Sequence, residues 1–97
     1  MIEDASLAGQ DRHTPLSERS LSKLRWRCRR GLLENDLFIE RFFGQHETRL
    51  TVGQARGLYT LMDLADNDLL DLLLRRTELQ PEIGTEEVRE VLDMLRA

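Results

Sequence analysis

The chain is poor in the residue types on which chemistry usually relies. It has one cysteine, Cys28, so no disulfide can form within it and no Cys-x-x-Cys pair exists. That usage points to the cytoplasm as its compartment. The other borderline-soft ligands are His13 and His46, and neither shares a ligand-like spacing with Cys28, so no metal site is expected. A Cys28–His46 nucleophile pair lacks a third group to orient it. No glycine-rich phosphate loop is present: Gly53 and Gly57 fall within a helical pattern rather than after a strand. No catalytic residue, cofactor site or enzymatic activity is therefore expected.

Other absences narrow the class further. No apolar run approaches the ~20 residues that span a bilayer, so membrane insertion is not expected. The N-terminus has no apolar signal core, and it carries Glu3, Asp4 and Asp11, which a mitochondrial transit peptide would avoid. Strand-like alternation, internal repeats and low-complexity stretches are missing. Aromatics number five, so leucine must carry most of the core, which favours helices. At 97 residues the chain suggests one small domain, with little room for a deep catalytic cavity.

Charge is what the chain has in quantity. The formal net charge of −4 hides an asymmetry. Residues 19–30 hold six positive side chains (Arg19, Lys23, Arg25, Arg27, Arg29, Arg30) and no negative one. Residues 31–97 hold seven positive and fourteen negative side chains, a balance of −7. A basic segment on an acidic body suits a partner with local negative charge. It does not suit general coating of nucleic acid, because the acidic body would be repelled by phosphates.

The helical pattern begins after a polar stretch. Residues 1–16 show no periodic apolar face and are expected to form a flexible tail; residues 17–97 form the single folded domain. A first helix starts at Ser17 or Ser20, either able to cap, with Leu21, Leu24 and Cys28 as its buried stripe. Arginines crowd its last turns, where the helix dipole favours cations. Gly31 stands where a left-handed residue often ends a helix. A second helix runs from about Leu33 to Thr48, with Leu33, Leu37, Phe38, Phe42 and Phe43 as i, i+4 pairs and Glu34 and Asp36 in its first turn.

Thr51 and Gln54 match the reciprocal capping box of a third helix, with Leu50 and Ala55 as its hydrophobic staple. Ala55, Leu58, Met62 and Ala65 are expected to face inward. Gly57 inside this helix costs about 1 kcal/mol relative to alanine, so a neighbour is expected to pack closely there. Asp66 is expected to cap a short, nearly surrounded fourth helix containing residues 69–74. Residues 77–84 form a connection containing Pro81 and Gly84. Thr85 caps a fifth helix, with Val88, Val91, Leu92 and Leu95 on one face. The reading is all-α: a compact five-helix bundle with a flexible N-terminal tail.

The basic helix admits three readings. Its arginines can be a solvated, dipole-matched face. The segment 19–30 can be a recognition helix of a small DNA-binding or regulatory protein, although a sequence pI of 5.2 and the lack of a second basic element speak against it. It can also be a protein-binding patch, since Arg and Trp commonly anchor interfaces and Trp26 lies among Arg25, Arg27 and Arg29.

The segment RRGLLENDLFIERFF resembles a known family. Arg30, Gly31, Glu34 and Asp36 fit the RGxxExD signature of the small FAD assembly factors of succinate dehydrogenase, the flavinators. Trp26 precedes the Cys-Arg-Arg-Gly run as in bacterial members, Phe42 and Phe43 end the second helix in the expected place, and residues 66–74 look like the family's fourth helix. The resemblance covers about residues 20–95. One departure is Leu72, where many relatives carry tryptophan; leucine can fill the core volume there, but a contact made through the indole would be lost.

The resemblance implies a partner and a role. Family members bind the flavoprotein subunit of succinate dehydrogenase, and in some bacteria that of fumarate reductase, and promote covalent attachment of FAD to a histidine of that subunit. The small protein would act as a chaperone-like factor, monomeric when free and with no cofactor of its own. The residues expected to meet the partner are Trp26, Arg27, Arg29, Arg30, Gly31, Glu34 and Asp36.

Overall fold

The computed structural model describes residues 5–29 and 31–97. Five α-helices follow in order: α1 (Glu18–Arg27), α2 (Leu33–His46), α3 (Val52–Met62), α4 (Asp66–Leu73) and α5 (Glu86–Arg96). Short 3-10 turns occupy Ala5–Leu7 and Glu47–Arg49. Among the described residues there is no strand, only an isolated bridge between Pro15 and Thr51. The Cα radius of gyration is 12.3 Å, close to the roughly 13 Å of a compact 100-residue domain. The expected all-α five-helix bundle is the fold.

Local capping chemistry sets three helix starts as expected. Ser20 N–H donates to the Ser17 side chain at 3.1 Å, opening α1. At α3, Gln54 N–H donates to Thr51 Oγ1 at 3.3 Å and Thr51 N–H donates to Gln54 Oε1 at 3.1 Å. The staple residues Leu50 and Ala55 are both buried. Val88 N–H donates to Thr85 Oγ1 at 3.3 Å at the start of α5.

The core is built around α3. Val52, Ala55, Leu58, Tyr59, Leu61 and Met62 are buried along it, and α5 contributes Val88, Val91, Leu92 and Leu95. Gly57 explains how closely the two helices meet. A Cβ built on it would lie 2.5 Å from the Glu87 carbonyl oxygen and 2.8 Å from its carbon. Leu72 is buried and fills the volume expected of it.

Several expectations are corrected. α1 ends at Arg27, three residues before Arg30, and Cys28 caps it with φ −82°. Cys28 N–H donates to Leu24 O at 3.0 Å and Arg29 N–H to Trp26 O at 3.3 Å. The helix therefore closes before the glycine, and Gly31 lies in a bend. On α2 the buried residues are Asn35, Ile39, Phe42 and Phe43, whereas Leu33 and Leu37 are 66% and 59% exposed. The helix is apolar on two faces, and packing against α4 and α5 selects the one containing Asn35. Its Nδ2 donates to Asp66 O at 3.0 Å, joining the N-termini of α2 and α4. Ala65, expected inside, is exposed; it is the N-cap of α4, and Asp66 is the first helical residue without a side-chain cap. α4 is surrounded on one side only: Leu69, Leu72 and Leu73 are buried and Leu74 is 42% exposed.

The end of α4 is a Schellman turn. Arg76 N–H donates to Asp71 O at 2.8 Å and Arg75 N–H to Leu72 O at 3.1 Å. Arg75 occupies the left-handed position usually given to glycine, with φ 63°.

Of the tail expected over 1–16, residues 1–4 lie outside the described residues, and residues 5–16 lie along the bundle. Leu7 is 1% exposed and belongs to the core. Leu16 N–H donates to Leu50 O at 2.9 Å, Val52 N–H to Thr14 O at 2.8 Å and Gly53 N–H to Arg12 O at 3.0 Å.

Candidate partner-binding site

The α1–α2 corner is fixed from below and open above. Arg27 is turned inward: its guanidinium donates to Met62 O at 3.0 Å and to Asp63 Oδ1 at 3.1 Å. It thereby meets the carbonyl end of α3, where a cation is favoured by the dipole. Arg25 ion-pairs with Glu47 and lies over the Phe43 ring, 5.0 Å from its centroid. Both arginines tie α1 to its neighbours. They are the two cations of the basic segment placed in its last helical turn, and neither stands free for another molecule.

The corner itself presents a mixed surface. Trp26 is 72% exposed, and the Arg29 guanidinium carbon lies 5.2 Å from its ring centroid, a cation–π distance. Gly31 is exposed, and a Cβ on it would meet nothing within 4 Å. No neighbour in the described chain therefore requires glycine here, in contrast to Gly57. Glu34, in the first turn of α2, is exposed and makes no hydrogen bond or ion pair among the described residues. Leu33 and Leu37 lie one turn apart on the same face of α2 and point outward.

Beside the corner an open groove of about 800 Å³ runs between α1 and α2, lined in part by Arg25, Trp26, Cys28, Arg29, Asp36 and Phe43. Asp36 is half-buried in its wall. Of the residues expected to meet a partner, Trp26, Arg29, Gly31, Glu34 and Asp36 gather around the corner and its groove. Arg27 serves the internal packing instead, and Arg30 lies outside the described residues. The sequence reading missed the outward leucines and the buried Asn35. Their signal lies in the spacing of residues 35, 39, 42 and 43, which puts Asn35 and Ile39 on the face of Phe42 and Phe43.

Asn35 is fully buried, and its Oδ1 accepts no hydrogen bond among the described residues. Its role is set by Nδ2, which holds the start of α2 under the corner. Histidine, cysteine and acidic side chains form no group of three able to hold a metal ion among the described residues. No helix among them is long and apolar enough to cross a membrane.

Fold and site together define a class: a small helical domain with shielded ion pairs in its packing, whose α1–α2 corner shows a carboxylate, tryptophan and leucine to solvent. The particular family follows from comparison. The family model described as flavinator of succinate dehydrogenase matches residues 22–97, and the chain belongs to that family. The FAD assembly factor SdhE of Ralstonia nicotianae is 51% identical over 76 residues, covering 78% of this chain and 80% of that protein. The protein of the same name from Legionella pneumophila is 33% identical over 81 residues, 84% of this chain and 96% of the relative. Succinate dehydrogenase assembly factor 2, mitochondrial, of Dictyostelium discoideum is 30% identical over 91 residues, 93% of this chain and 64% of the relative. No solved structure matches the chain at significance.

Proposed function

We propose that this protein binds the flavoprotein subunit of succinate dehydrogenase through its α1–α2 corner and promotes covalent attachment of FAD to that subunit; where a fumarate reductase flavoprotein is present, it is a second client. The names of the relatives support the reading. The observation that carries it here is the state of the corner: Gly31 stands in open space beside the exposed Trp26 and a Glu34 that has no partner among the described residues.

Each feature has a physical use in docking. A bare glycine lets a partner's backbone approach closely. Glu34 can accept hydrogen bonds from the client at a directional site. Trp26 with Arg29 stacked on it offers the aromatic–guanidinium combination that anchors interfaces. The outward leucines add apolar area beside the charges. The bond-forming chemistry belongs to the flavin and the flavoprotein, and the small protein contributes by holding its client with the reacting groups aligned.

The DNA-binding reading loses support, because Arg25 and Arg27 are engaged in internal pairs and Arg29 is stacked on Trp26. The test is co-purification with the succinate dehydrogenase flavoprotein, followed by in-gel flavin fluorescence with and without this protein. Retention of the client and a gain in covalent flavin are expected. A flavoprotein that ignores the protein and flavinylates equally well without it rejects the proposal.

A further inference from the structure

We propose that residues 5–16 form a brace that fixes α1, and with it the client-facing corner, against α3 and α5, with Leu7, Gly53 and Arg56 as its positioning residues. The segment precedes the span matched by the family model, which begins at residue 22.

α1 buries few side chains. They are Ser20 and Leu24, followed by Cys28 just past its end, with Leu21 packed at the edge of the core. Arg25 and Arg27 hold its C-terminal turn, and the brace holds its N-terminal turn. Leu7 enters the core, and the neighbouring Ser6 hydroxyl lies 3.4 Å from that of Ser20 on α1. Leu16, one residue before the α1 cap, is fixed by its N–H to Leu50 O. The bridge of Pro15 with Thr51 places the start of α1 directly beside the start of α3.

Arg56 on α3 knots the parts together. It donates to Leu7 O at 3.0 Å and Gln10 O at 2.8 Å on the brace, and its Nη2 donates to Glu87 of α5 at 2.7 Å. The pair is well shielded, with side chains 16% and 23% exposed, so these charge-assisted bonds are weakly screened. Arg12 adds an exposed link to Glu86 at 2.6 Å, which counts for less.

Gly53 is the most specific sign that the seat is built. A Cβ there would lie 2.9 Å from Arg12 Cβ, 3.0 Å from Arg12 O and 3.0 Å from Glu87 Oε2. α3 thus carries two glycines one turn apart, one admitting the brace and one admitting α5. Alanine is the better helix former, so in the absence of a docked brace the substitution Gly53→Ala would stabilise the protein.

The test uses the intact protein and hydrogen exchange read by mass spectrometry. Gly53→Ala and Leu7→Asp are each expected to speed exchange at least tenfold over residues 12–16 and over α1, with α4 unchanged. Leu7→Met is expected to behave as the parent chain. A Gly53→Ala variant that melts higher than the parent, with α1 exchange unaltered in it and in Leu7→Asp, overturns the brace. A second arm rests on the proposed function: affinity for the flavoprotein is expected to fall several-fold in both loosened variants and to recover in Leu7→Met. Undiminished affinity in a variant whose α1 exchanges freely overturns the link from brace to corner. Failure of the parent chain to bind the flavoprotein rejects the client reading, and the exchange results then decide the brace alone.

Discussion

Gly57 and Gly31 mark two regions made for different ends. A methyl group at Gly57 would strike the backbone of α5 at 2.5 Å, while the same group at Gly31 would touch nothing within 4 Å. Around Gly57 the charges are paired and shielded, as in Arg56 with Glu87, and leucine and valine are buried. Around Gly31, Trp26, Leu33 and Leu37 are exposed, and Glu34 has no partner among the described residues. Folding requires the first glycine, whereas a Cβ at the second would meet no described neighbour. The proposed function gives the second glycine its use, the close approach of a partner's backbone.

The contrast can be broken most forcefully at its two centres. Gly57→Ala is expected to destabilise the protein by about 3 kcal/mol through overpacking against rigid backbone, lowering the melting temperature by roughly 10 °C or more. Gly31→Arg is expected to leave the melting temperature within about 2 °C and to abolish productive client binding. Calorimetry and flavin fluorescence on both variants would expose a reversal, and a Gly31→Arg variant that still supports flavinylation would place the interface elsewhere.

Arg27 and Glu34 sharpen the comparison at intermediate size. Removing the Arg27 side chain takes away two hydrogen bonds at the end of α3, to Met62 O and Asp63, so Arg27→Ala should cost about 1–2 kcal/mol. Glu34→Ala should change stability by less than about 0.5 kcal/mol while weakening flavinylation. Denaturant melts alongside flavinylation assays separate the two. A Glu34→Ala protein that unfolds readily yet still serves the client would make Glu34 a structural residue.

The smallest effect concerns pH. The side-chain hydrogen bond and charge of Arg12 hold the Glu86 carboxyl below the usual carboxylate range. The folded-state value is depressed, so the stabilisation is present above the unfolded-state value and is lost as pH falls through the folded one. Because Glu86 is exposed, acidification should loosen the brace locally without unfolding the bundle. Amide NMR shifts at Arg12 and Thr14 should move in that window in the parent and stay still in Glu86→Gln.

Legibility in the sequence followed the range of the interaction. Ser17, Thr51 with Gln54, and Thr85 were readable because a cap involves residues three apart. The α5 stripe was readable because the opposite face of that helix is charged. α2 was legible only in part: Phe42 and Phe43 are buried, but periodicity alone cannot tell that Asn35 and Ile39, and not Leu33 and Leu37, share their face. The Asn35 bond to Asp66, 31 positions away, and the docking of α4 and the still more distant α5 make that choice. Leu7 could not be read at all, since a single leucine in a polar stretch has no period. Of the corner, Trp26, Gly31 and Glu34 were found by motif, but the inward turn of Arg27 depended on where α3 ends.

The sequence by itself determined the helices, most of their starts and the basic–acidic division, because these rest on neighbours within one or two turns. Only the tertiary structure decided which leucines would face solvent, which arginines would remain available and whether the N-terminal segment would belong to the bundle. Those outcomes depend on contacts between distant segments, where the burial of one face against a particular neighbour outweighs any local preference.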